Sequence, residues 1–285
     1  MTNQFLMTLR CDDRKGIVAA VSGFLADSDA NIAESHQFRD PVSNQFFLRT
    51  MFEPCSTGGI DLVAMREKFA TIAGRFAMTW RIDDMAVKTR VMIAVSKFGH
   101  CLYDLIHRWR SGVLGIEIVG VVSNHGDMRE FVEWNGIPFY YLPVTAKEKQ
   151  RQERELFMAF ERDRADLLVL ARYMQVLSPD LSTRLSGRCI NIHHSFLPAF
   201  KGAKPYHQAY ARGVKIIGAT AHYVTDDLDE GPIIEQAVER VDHASSPDNL
   251  VQIGRDLEST VLARAVRWHI ERRVMLNGSR TVVFG

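Results

Sequence analysis

The spacing of apolar and polar residues divides the chain into two regions with different orders of predicted elements. In residues 1–84, alternating patterns predict strands and helical spacing predicts helices, in the order β-α-β-β-α-β. In the first helix, for example, Ile17, Val21 and Leu25 fall on one face. After a short polar passage at residues 83–89, continuous apolar runs such as residues 90–96 alternate with helical patterns. Runs of this kind are typical of strands that are buried on both faces of a parallel sheet.

These two patterns predict two domains and an α/β fold class. We expect an N-terminal ferredoxin-like domain at residues 1–84 and a second domain at residues 85–285, with a linker at 85–89. A length of 285 residues leaves room for both hydrophobic cores. In the second domain, strands that alternate with helices predict an open, mostly parallel, Rossmann-like sheet, which binds ligands at the carboxyl ends of its strands.

Composition and charge narrow the range of partners. The net charge of +1 gives no reason to expect nucleic acid or an acidic membrane surface as a partner. No apolar run approaches the roughly 20 residues that span a bilayer, so we expect no membrane association. The four cysteines are scattered without a Cys-x-x-Cys pair, so we expect neither a zinc framework nor a disulfide scaffold. Without a secretory pattern at its N-terminus, the sequence is typical of a reduced cytoplasmic protein.

Candidate chemistry concentrates between residues 191 and 236. Asn191 and His193 close a short alternating strand, and a second β-like run at residues 216–224 leads into an acidic turn that contains Asp229. We therefore expect two strand ends to deliver these side chains to loops, where a rigid scaffold holds reactive groups near water. An amide and an imidazole polarise a carbonyl oxygen, and a carboxylate orients water or holds the imidazole. The combination indicates acyl chemistry.

Two motifs in this stretch resemble those of the folate-dependent formyltransferase/hydrolase family. They are Asn-Ile-His-His-Ser-Phe-Leu-Pro at residues 191–198 and Leu-Asp-Glu-Gly-Pro at residues 228–232. The resemblance implies that Asn191, His193 and Asp229 are catalytic. It also implies that a loop wraps the pterin ring of the substrate, and the positions carried over are Leu170, Met174, Gln175, Val176, Leu177, Val224 and Asp226. From the residues alone, Val176 and Leu177 fit a hydrophobic core equally well.

Several side chains in the motif region are also good metal ligands, namely His193, His194, His222 and Asp229. Consecutive strand residues point to opposite faces, so His193 and His194 should not chelate one ion. We expect no metal, because zinc-type spacing is missing from the sequence and formyl transfer in the family needs no Lewis acid. We expect no cofactor apart from the folate substrate itself. His194 is expected to pack or hydrogen-bond behind the site.

The N-terminal region resembles an ACT domain. The resemblance rests on the order of its elements, on Asp-Arg-Lys-Gly-Ile-Val at residues 13–18, and on Asn31 with the isoleucine that follows it. It implies an amino-acid effector near Asp13, Gly16, Ile17 and Asn31, with close approach of the backbone at Gly16. Paired ACT domains also imply a homo-oligomer. Ligand binding and a purely structural assembly role both stay open.

Members of the formyltransferase/hydrolase family differ in the acceptor of the formyl group. Enzymes that use a ribonucleotide carry a phosphate-binding Gly-Ser-Asn turn, whereas this chain has Lys-Phe-Gly-His-Cys at residues 97–101. The ACT-like region, the double histidine at 193–194 and the segment at 200–207 resemble the hydrolytic members. This implies that water cleaves 10-formyltetrahydrofolate to tetrahydrofolate and formate, which supplies purine synthesis and balances the one-carbon pool. Transfer to an amine such as a ribonucleotide is the alternative.

The three candidate catalytic side chains favour one course of reaction. Asn191 donates to the formyl oxygen as it becomes an oxyanion, and loss of such a donor typically costs ~10²–10³-fold in rate. His193 stabilises the same charge or protonates the leaving N10 nitrogen. Asp229 orients the water and takes its proton, or polarises His193. The sequence leaves these alternatives open.

Overall fold

A computed structural model of the chain describes residues 4–56, 59–145, 148–197 and 205–285. Pro198 of the first motif and residues 200–204 of the segment at 200–207 lie outside the described residues. The contacts divide the chain into two compact units. The first comprises Met1–Lys88, Arg272–Asn277 and Val282–Gly285, and the second comprises Thr89–Glu271 and Gly278–Thr281. None of the helices in the described ranges combines the length and apolar character that crossing a bilayer requires.

The first unit has the predicted β-α-β-β-α-β order. Its elements are β1 (Phe5–Asp12), α1 (Ile17–Asp27), β2 (Ala30–Asp40), β3 (Gln45–Pro54), α2 (Leu62–Phe76) and β4 (Thr79–Asp84). The four strands form an antiparallel sheet in the order β2-β3-β1-β4. The apolar faces of α1 and α2 share one hydrophobic cluster with this sheet. Asp61 caps α2, because its side chain accepts hydrogen bonds from the backbone amides of Val63 and Ala64.

The second unit is built on a seven-stranded, mostly parallel sheet. Its first elements are β5 (Thr89–Val95), α3 (His100–Arg110), β6 (Ile116–Ser123), α4 (Arg129–Trp134), β7 (Phe139–Tyr141), α5 (Lys149–Arg162), β8 (Leu167–Leu170) and α6 (Pro179–Arg184). They are followed by β9 (Cys189–His193), α7 (Pro205–Ala211), β10 (Ile216–Tyr223), β11 (Ile233–Arg240) and α8 (Pro247–Ile270). The strand order is β11-β10-β9-β8-β5-β6-β7; β10 pairs antiparallel with both β9 and β11, and the other described pairs of this sheet are parallel. The predicted mostly parallel α/β sheet is confirmed.

The central parallel strands are buried because their sequences are almost entirely apolar. All of β8 and residues 91–95 of β5 are buried. These strands share one hydrophobic cluster with Leu156 and Phe160 of α5, which are fully buried. Burial of one large apolar side chain contributes about 1.5–3 kcal/mol. The result is a rigid platform on which β8 and β9 end side by side.

The apolar pattern does not predict α6, α7, β11 or the strand β12 (Val274–Asn277). Helix α6 is short, but Ser178 caps it by accepting a hydrogen bond from the Leu181 amide, and a proline occupies its first turn. In strand β11 the apolar and polar residues come in pairs and do not alternate, so its sequence lacks the pattern that predicts a strand paired with β10. Strand β12 pairs with β13 (Arg280–Val283), close to the terminal strand expected at residues 281–284.

The C-terminal residues group differently from the predicted division into 1–84 and 85–285. Asn277 Nδ2 donates to Asp40 Oδ2 at 2.7 Å, and Arg10 Nη1 donates to the Leu276 carbonyl oxygen at 3.1 Å. Because these partners are 237 and 266 positions apart, a sequence pattern does not reveal them. By contacts, Arg272–Asn277 and Val282–Gly285 therefore belong with the first unit.

Candidate active site

A cleft at the carboxyl ends of β8 and β9 brings together the residues that the sequence motifs single out. It encloses about 250 Å³. All ten residues predicted for catalysis or substrate binding line it: Asn191, His193, Asp229, Leu170, Met174, Gln175, Val176, Leu177, Val224 and Asp226. This placement agrees with the rule that parallel α/β sheets bind ligands at strand ends. The individual roles of these residues stay predictions.

Asn191 projects from β9 and is held by a histidine on the neighbouring strand. It lies opposite His222 in the antiparallel register, with Asn191 Nδ2 at 3.2 Å from His222 Nε2. The second ring nitrogen of His222, Nδ1, lies 2.9 Å from the Tyr223 carbonyl oxygen. Because a carbonyl oxygen can only accept, Nδ1 of His222 donates to it, and Nε2 lies within hydrogen-bond reach of the Asn191 amide. This contact orients the Asn191 side chain in the cleft.

His193 and Asp229 form an imidazole–carboxylate pair. Nδ1 of His193 lies 3.2 Å from Oδ2 of Asp229, and Nε2 of His222 lies 3.7 Å from Oδ1. Burial raises the pKa of Asp229, but hydrogen bonding and charge interactions with His193 and His222 outweigh it and lower the pKa below its ordinary value. Asp229 is therefore ionised at neutral pH.

The other nitrogen of His193 lacks a protein partner. His193 is 5% exposed, and its Nε2 atom is buried without a hydrogen bond to any described residue. A buried polar atom left unpaired costs about 1–3 kcal/mol, so such an atom calls for an explanation. Asp229 holds Nδ1, which leaves Nε2 on the opposite edge of the ring to exchange a hydrogen bond with a ligand.

A glycine holds the turn that carries Asp229 close to β10. Asp229 has a φ of 58°, in the left-handed region that aspartate tolerates better than most residues. Two positions later, a Cβ built on Gly231 would lie 1.7 Å from the Tyr223 carbonyl oxygen and 3.1 Å from Nδ1 of His222. Only glycine permits this approach. The turn is therefore fixed relative to the strand that carries His222.

The loop after His193 is fixed by Thr220 of β10. Thr220 is fully buried and lies opposite His193 in the strand register. Its hydroxyl donates to the Ser195 carbonyl oxygen at 2.9 Å. The same oxygen accepts from the Leu197 amide at 3.1 Å and from Gln236 Nε2 at 2.9 Å. The first two bonds tie the loop to β10 and so support the orientation of His193, and the third ties Thr220 to β11.

The apolar walls of the cleft are of two kinds. Leu170 and Leu177 belong to the hydrophobic cluster of the second unit and also line the cleft. Met174 and Val176 line it while 53% and 51% exposed. Val176 is therefore not a core residue, whereas Leu177 is both core and wall. Exposed apolar side chains beside a cleft are typical of a surface that a flat, apolar ligand covers.

Comparisons with known proteins agree with this geometry. A protein-family model described as formyl transferase matches residues 89–266. A formyltetrahydrofolate deformylase from Corynebacterium sp. (strain P-1) is 52% identical over 98% of this chain and 97% of its own length. The crystal structure of formyltetrahydrofolate deformylase from Burkholderia mallei has a TM-score of 0.95 and 55% identity, covering 99% of this chain and 100% of that chain. The chain belongs to the formyltetrahydrofolate deformylase family.

A transferase structure matches a smaller part of this chain. The crystal structure of glycinamide ribonucleotide transformylase 1 from Symbiobacterium toebii has a TM-score of 0.66 and 28% identity. It covers 70% of this chain and 95% of that chain. The deformylase structure covers nearly all of this chain, so the family assignment includes the first unit as well as the second.

The strand expected at residues 189–193 is confirmed as β9, which contains Asn191 and ends at His193, and Asp229 lies in the turn after β10. One detail of the predicted site geometry is wrong. His193 and His194 were expected to point to opposite faces, but their rings stack with centroids 4.6 Å apart at 21°. The strand ends at His193, so the alternation of strand side chains no longer applies at His194.

Several residues that hold the site were not identified from the sequence. From the sequence, His222 was considered only as a metal ligand and Thr220 was not considered. Both are polar residues within the mostly apolar, buried strand β10, and a buried polar residue indicates a specific hydrogen-bond partner. Arg172 and His194 also line the cleft. Glu258 of α8, which pairs with Arg172, belongs to no motif. Because Arg172 and Glu258 lie far apart in sequence, no local pattern reveals the contact between them.

The residues predicted for an effector lie in the first unit. Gly16 precedes α1 with a φ of 99°, a conformation that favours glycine. Ile17 is 2% exposed and part of the hydrophobic cluster, so only its backbone is available to a ligand. Asp13 pairs with Arg39 at 2.9 Å, and Asn31 is exposed on β2. Effector binding by these residues stays a prediction.

Proposed function

We propose that this protein hydrolyses 10-formyltetrahydrofolate to formate and tetrahydrofolate. The observation that carries the proposal is the convergence of Asn191, His193 and Asp229 in one cleft. It is supported by relatives named formyltetrahydrofolate deformylase that match over nearly the whole chain. In the cytoplasm, such a reaction supplies formate for purine synthesis and returns tetrahydrofolate to the one-carbon pool.

The cleft suits the ring system of the substrate better than the whole molecule. Its volume of about 250 Å³ lies just below the usual range of ~300–1,000 Å³ for small-molecule sites. The pterin ring packs against the apolar wall formed by Met174, Val176 and Leu177. The glutamate end of the substrate then extends beyond the cleft into solvent. This pose brings the formyl group toward Asn191 and His193.

In the proposed reaction, a water oxygen attacks the formyl carbon and the carbonyl electron pair moves to the formyl oxygen. The Asn191 amide donates to this oxyanion, and Nε2 of His193, which lacks a protein partner, takes a proton from the attacking water and later gives it to N10. The intermediate collapses as the bond from carbon to N10 breaks and N10 takes a proton. The products are formate and tetrahydrofolate.

The lowered pKa of Asp229 bears on how the proton moves. A carboxylate with a lowered pKa is a weak base, and efficient general bases have a pKa near the working pH. Asp229 therefore acts by orienting the water and by stabilising positive charge on His193. His193 carries the proton to the leaving nitrogen. This favours one of the two divisions of labour that the sequence leaves open.

The first unit is best explained as an ACT domain that pairs in a homo-oligomer. Its sheet order and the left-handed conformation of Gly16 at the start of α1 support this assignment. An amino acid would bind there through the backbone that follows β1. Isothermal calorimetry with single amino acids tests this, since a lack of heat for all of them would leave an assembly module.

The function is tested by incubating the protein with 10-formyltetrahydrofolate alone and measuring free formate. We expect formate and tetrahydrofolate in equal amounts without any amine. Asp229→Asn should lower the rate by ~10²–10⁴-fold, because His193 can act as the general acid–base group only when the carboxylate stabilises the charge it gains. Asp127→Asn, at an exposed aspartate outside the cleft, is the matched control and should retain the rate. Formate that appears only after an amine acceptor is added would show a transferase instead.

A further inference from the structure

A buried ionic cluster centred on Glu258 of α8 reaches the cleft. Glu258 is 1% exposed. Its Oε2 atom lies 2.7 Å from Nε2 of His100, and its Oε1 atom accepts a 2.7 Å hydrogen bond from the Tyr206 hydroxyl. Nε of Arg172 lies 3.3 Å from Oε2 in an ion pair that lacks the angle of a hydrogen bond. Burial raises the pKa of Glu258, but these partners outweigh burial and lower it, so the carboxylate is charged and paired.

The packing of α8 makes room for this cluster. A Cβ built on Gly254 would lie 2.1 Å from the Tyr206 ring. Glycine weakens a helix interior relative to alanine. Gly254 lies on the same face of α8 as Glu258, one turn earlier, and the lack of a side chain there leaves space for the Tyr206 ring. Tyr206 then reaches Glu258 with its hydroxyl.

The cluster is a poor cation site, although three potential ligand atoms lie close together. Ligand atoms of His100, Cys101 and Glu258 are within 4.8 Å of one another. The Arg172 guanidinium already neutralises Glu258. Burial also raises the pKa of the Cys101 thiol, which disfavours the thiolate that binds metals. The cationic partner of the Glu258 carboxylate is therefore Arg172 and not a metal ion.

Arg172 connects the cluster to the cleft. It adopts a φ of 63°, in the left-handed region that is uncommon for arginine, and it lines the cleft together with His194. Its Nη1 atom lies 2.6 Å from Nδ1 of His194. A guanidinium has only donors and stays protonated, so Nδ1 of His194 accepts. From this contact with Arg172 we assign His194 as a neutral ring with its proton on Nε2.

His194 in turn supports His193. The two rings stack with centroids 4.6 Å apart. At the edge of its ring, Nδ1 of His193 contacts Asp229, which also lies near His222. Two charged rings at this separation would repel each other, and the guanidinium opposes a charge on His194. Positive charge that His193 gains during the reaction therefore meets a neutral ring.

We propose that Arg172, held in place by Glu258, is a positioning residue that keeps His194 neutral and stacked on His193. It thereby holds His193 against Asp229 during formyl cleavage. The kinetic consequence rests on the proposed function, whereas the state of the His194 ring does not depend on any substrate.

The state of His194 is tested by NMR of protein labelled at the histidine ring nitrogens, with the His194 signals identified by their loss in His194→Gln. We expect Nδ1 of His194 to be unprotonated and Nε2 to be protonated. In Arg172→Met, which removes the donor, this pattern should change to that of an exchanging, titrating ring. A wild-type spectrum with a proton on Nδ1 would overturn the proposal, even if the variant does not fold.

The consequence for turnover is tested with the same variants. Arg172→Met should lower kcat by about 10–100-fold with a smaller change in KM, because His193 loses its orientation. Arg172→Lys keeps a cationic donor and should recover part of the loss, although without the planar fork. Arg267→Met is the control, since Arg267 is 55% exposed on α8 and pairs with Glu271.

The outcomes distinguish the proposal from the proposed function. A folded Arg172→Met variant with the kcat of the wild type would overturn the positioning role. Equal loss in Arg172→Lys and Arg172→Met, with the His194 spectrum unchanged in both, would also overturn it. A wild-type protein that releases no formate would contradict the proposed function, and the spectrum would still decide the state of His194.

Discussion

Replacing Gly231 by alanine isolates the contact that sets the distance between the Asp229 turn and β10. The φ of Gly231 lies outside the left-handed region, so alanine adds no backbone strain and acts by its methyl group alone. That carbon would lie 1.7 Å from the Tyr223 carbonyl oxygen. Carbon–oxygen contacts in proteins are about 3.3 Å or longer, so the turn and strand must separate by roughly 1.6 Å. Misplacement of a catalytic group by about 1 Å can lower the rate ~10²-fold.

We therefore expect Gly231→Ala to lower kcat by about 10²-fold and to destabilise the protein by ~1–3 kcal/mol, the usual effect of overpacking. Steady-state formate release and urea denaturation measure the two effects. Gly115→Ala is the matched control, because a Cβ there meets nothing within 4 Å and Gly115 lies outside the cleft. A Gly231→Ala protein with wild-type kcat and stability would refute the view that this contact positions Asp229.

Further predictions concern the supports of the same site. Thr220→Val removes a buried hydroxyl with three bonds and leaves the Leu197 amide unpaired, so the free energy of unfolding should fall by ~1–3 kcal/mol in urea denaturation. The second concerns pH. The pKa of Asp229 is lower folded than unfolded, so the unfolded chain binds more protons at this group below its unfolded pKa of about 3.9. The stability that ionised Asp229 adds is present above that value and is lost as pH falls through the folded pKa. The stability difference between wild type and Asp229→Asn, measured by urea denaturation, should therefore shrink below about pH 4. A difference that grows in that window would contradict the lowered pKa.

The fold was largely predictable because its central strands are continuous apolar runs. Residues 90–96 predict β5, which spans Thr89–Val95, since a strand buried on both faces requires such a run. Strand β11 could not be predicted, because its apolar and polar residues do not alternate and its position depends on pairing with β10. Strand β12 could not be predicted either, because its contacts join it to residues near the other end of the chain.

The candidate catalytic residues were predictable because they lie in sequence motifs, whereas the contacts that depend on packing were not. The motifs place Asn191, His193 and Asp229 in one cleft. Stacking of His194 on His193 could not be foreseen, because it depends on where β9 ends. The pairing of Glu258 with His100 could not be foreseen either, because it joins residues 158 positions apart.

The central claim is that an amide, an imidazole and a carboxylate act together on one bound formyl group. The most direct measurement is kcat/KM for formate release by Asn191→Ala, Asp229→Asn and the double variant. Residues that act as a unit are strongly non-additive. We predict that the double variant is about as impaired as the worse single variant. A double variant whose loss equals the product of the two single losses would contradict joint action on one substrate.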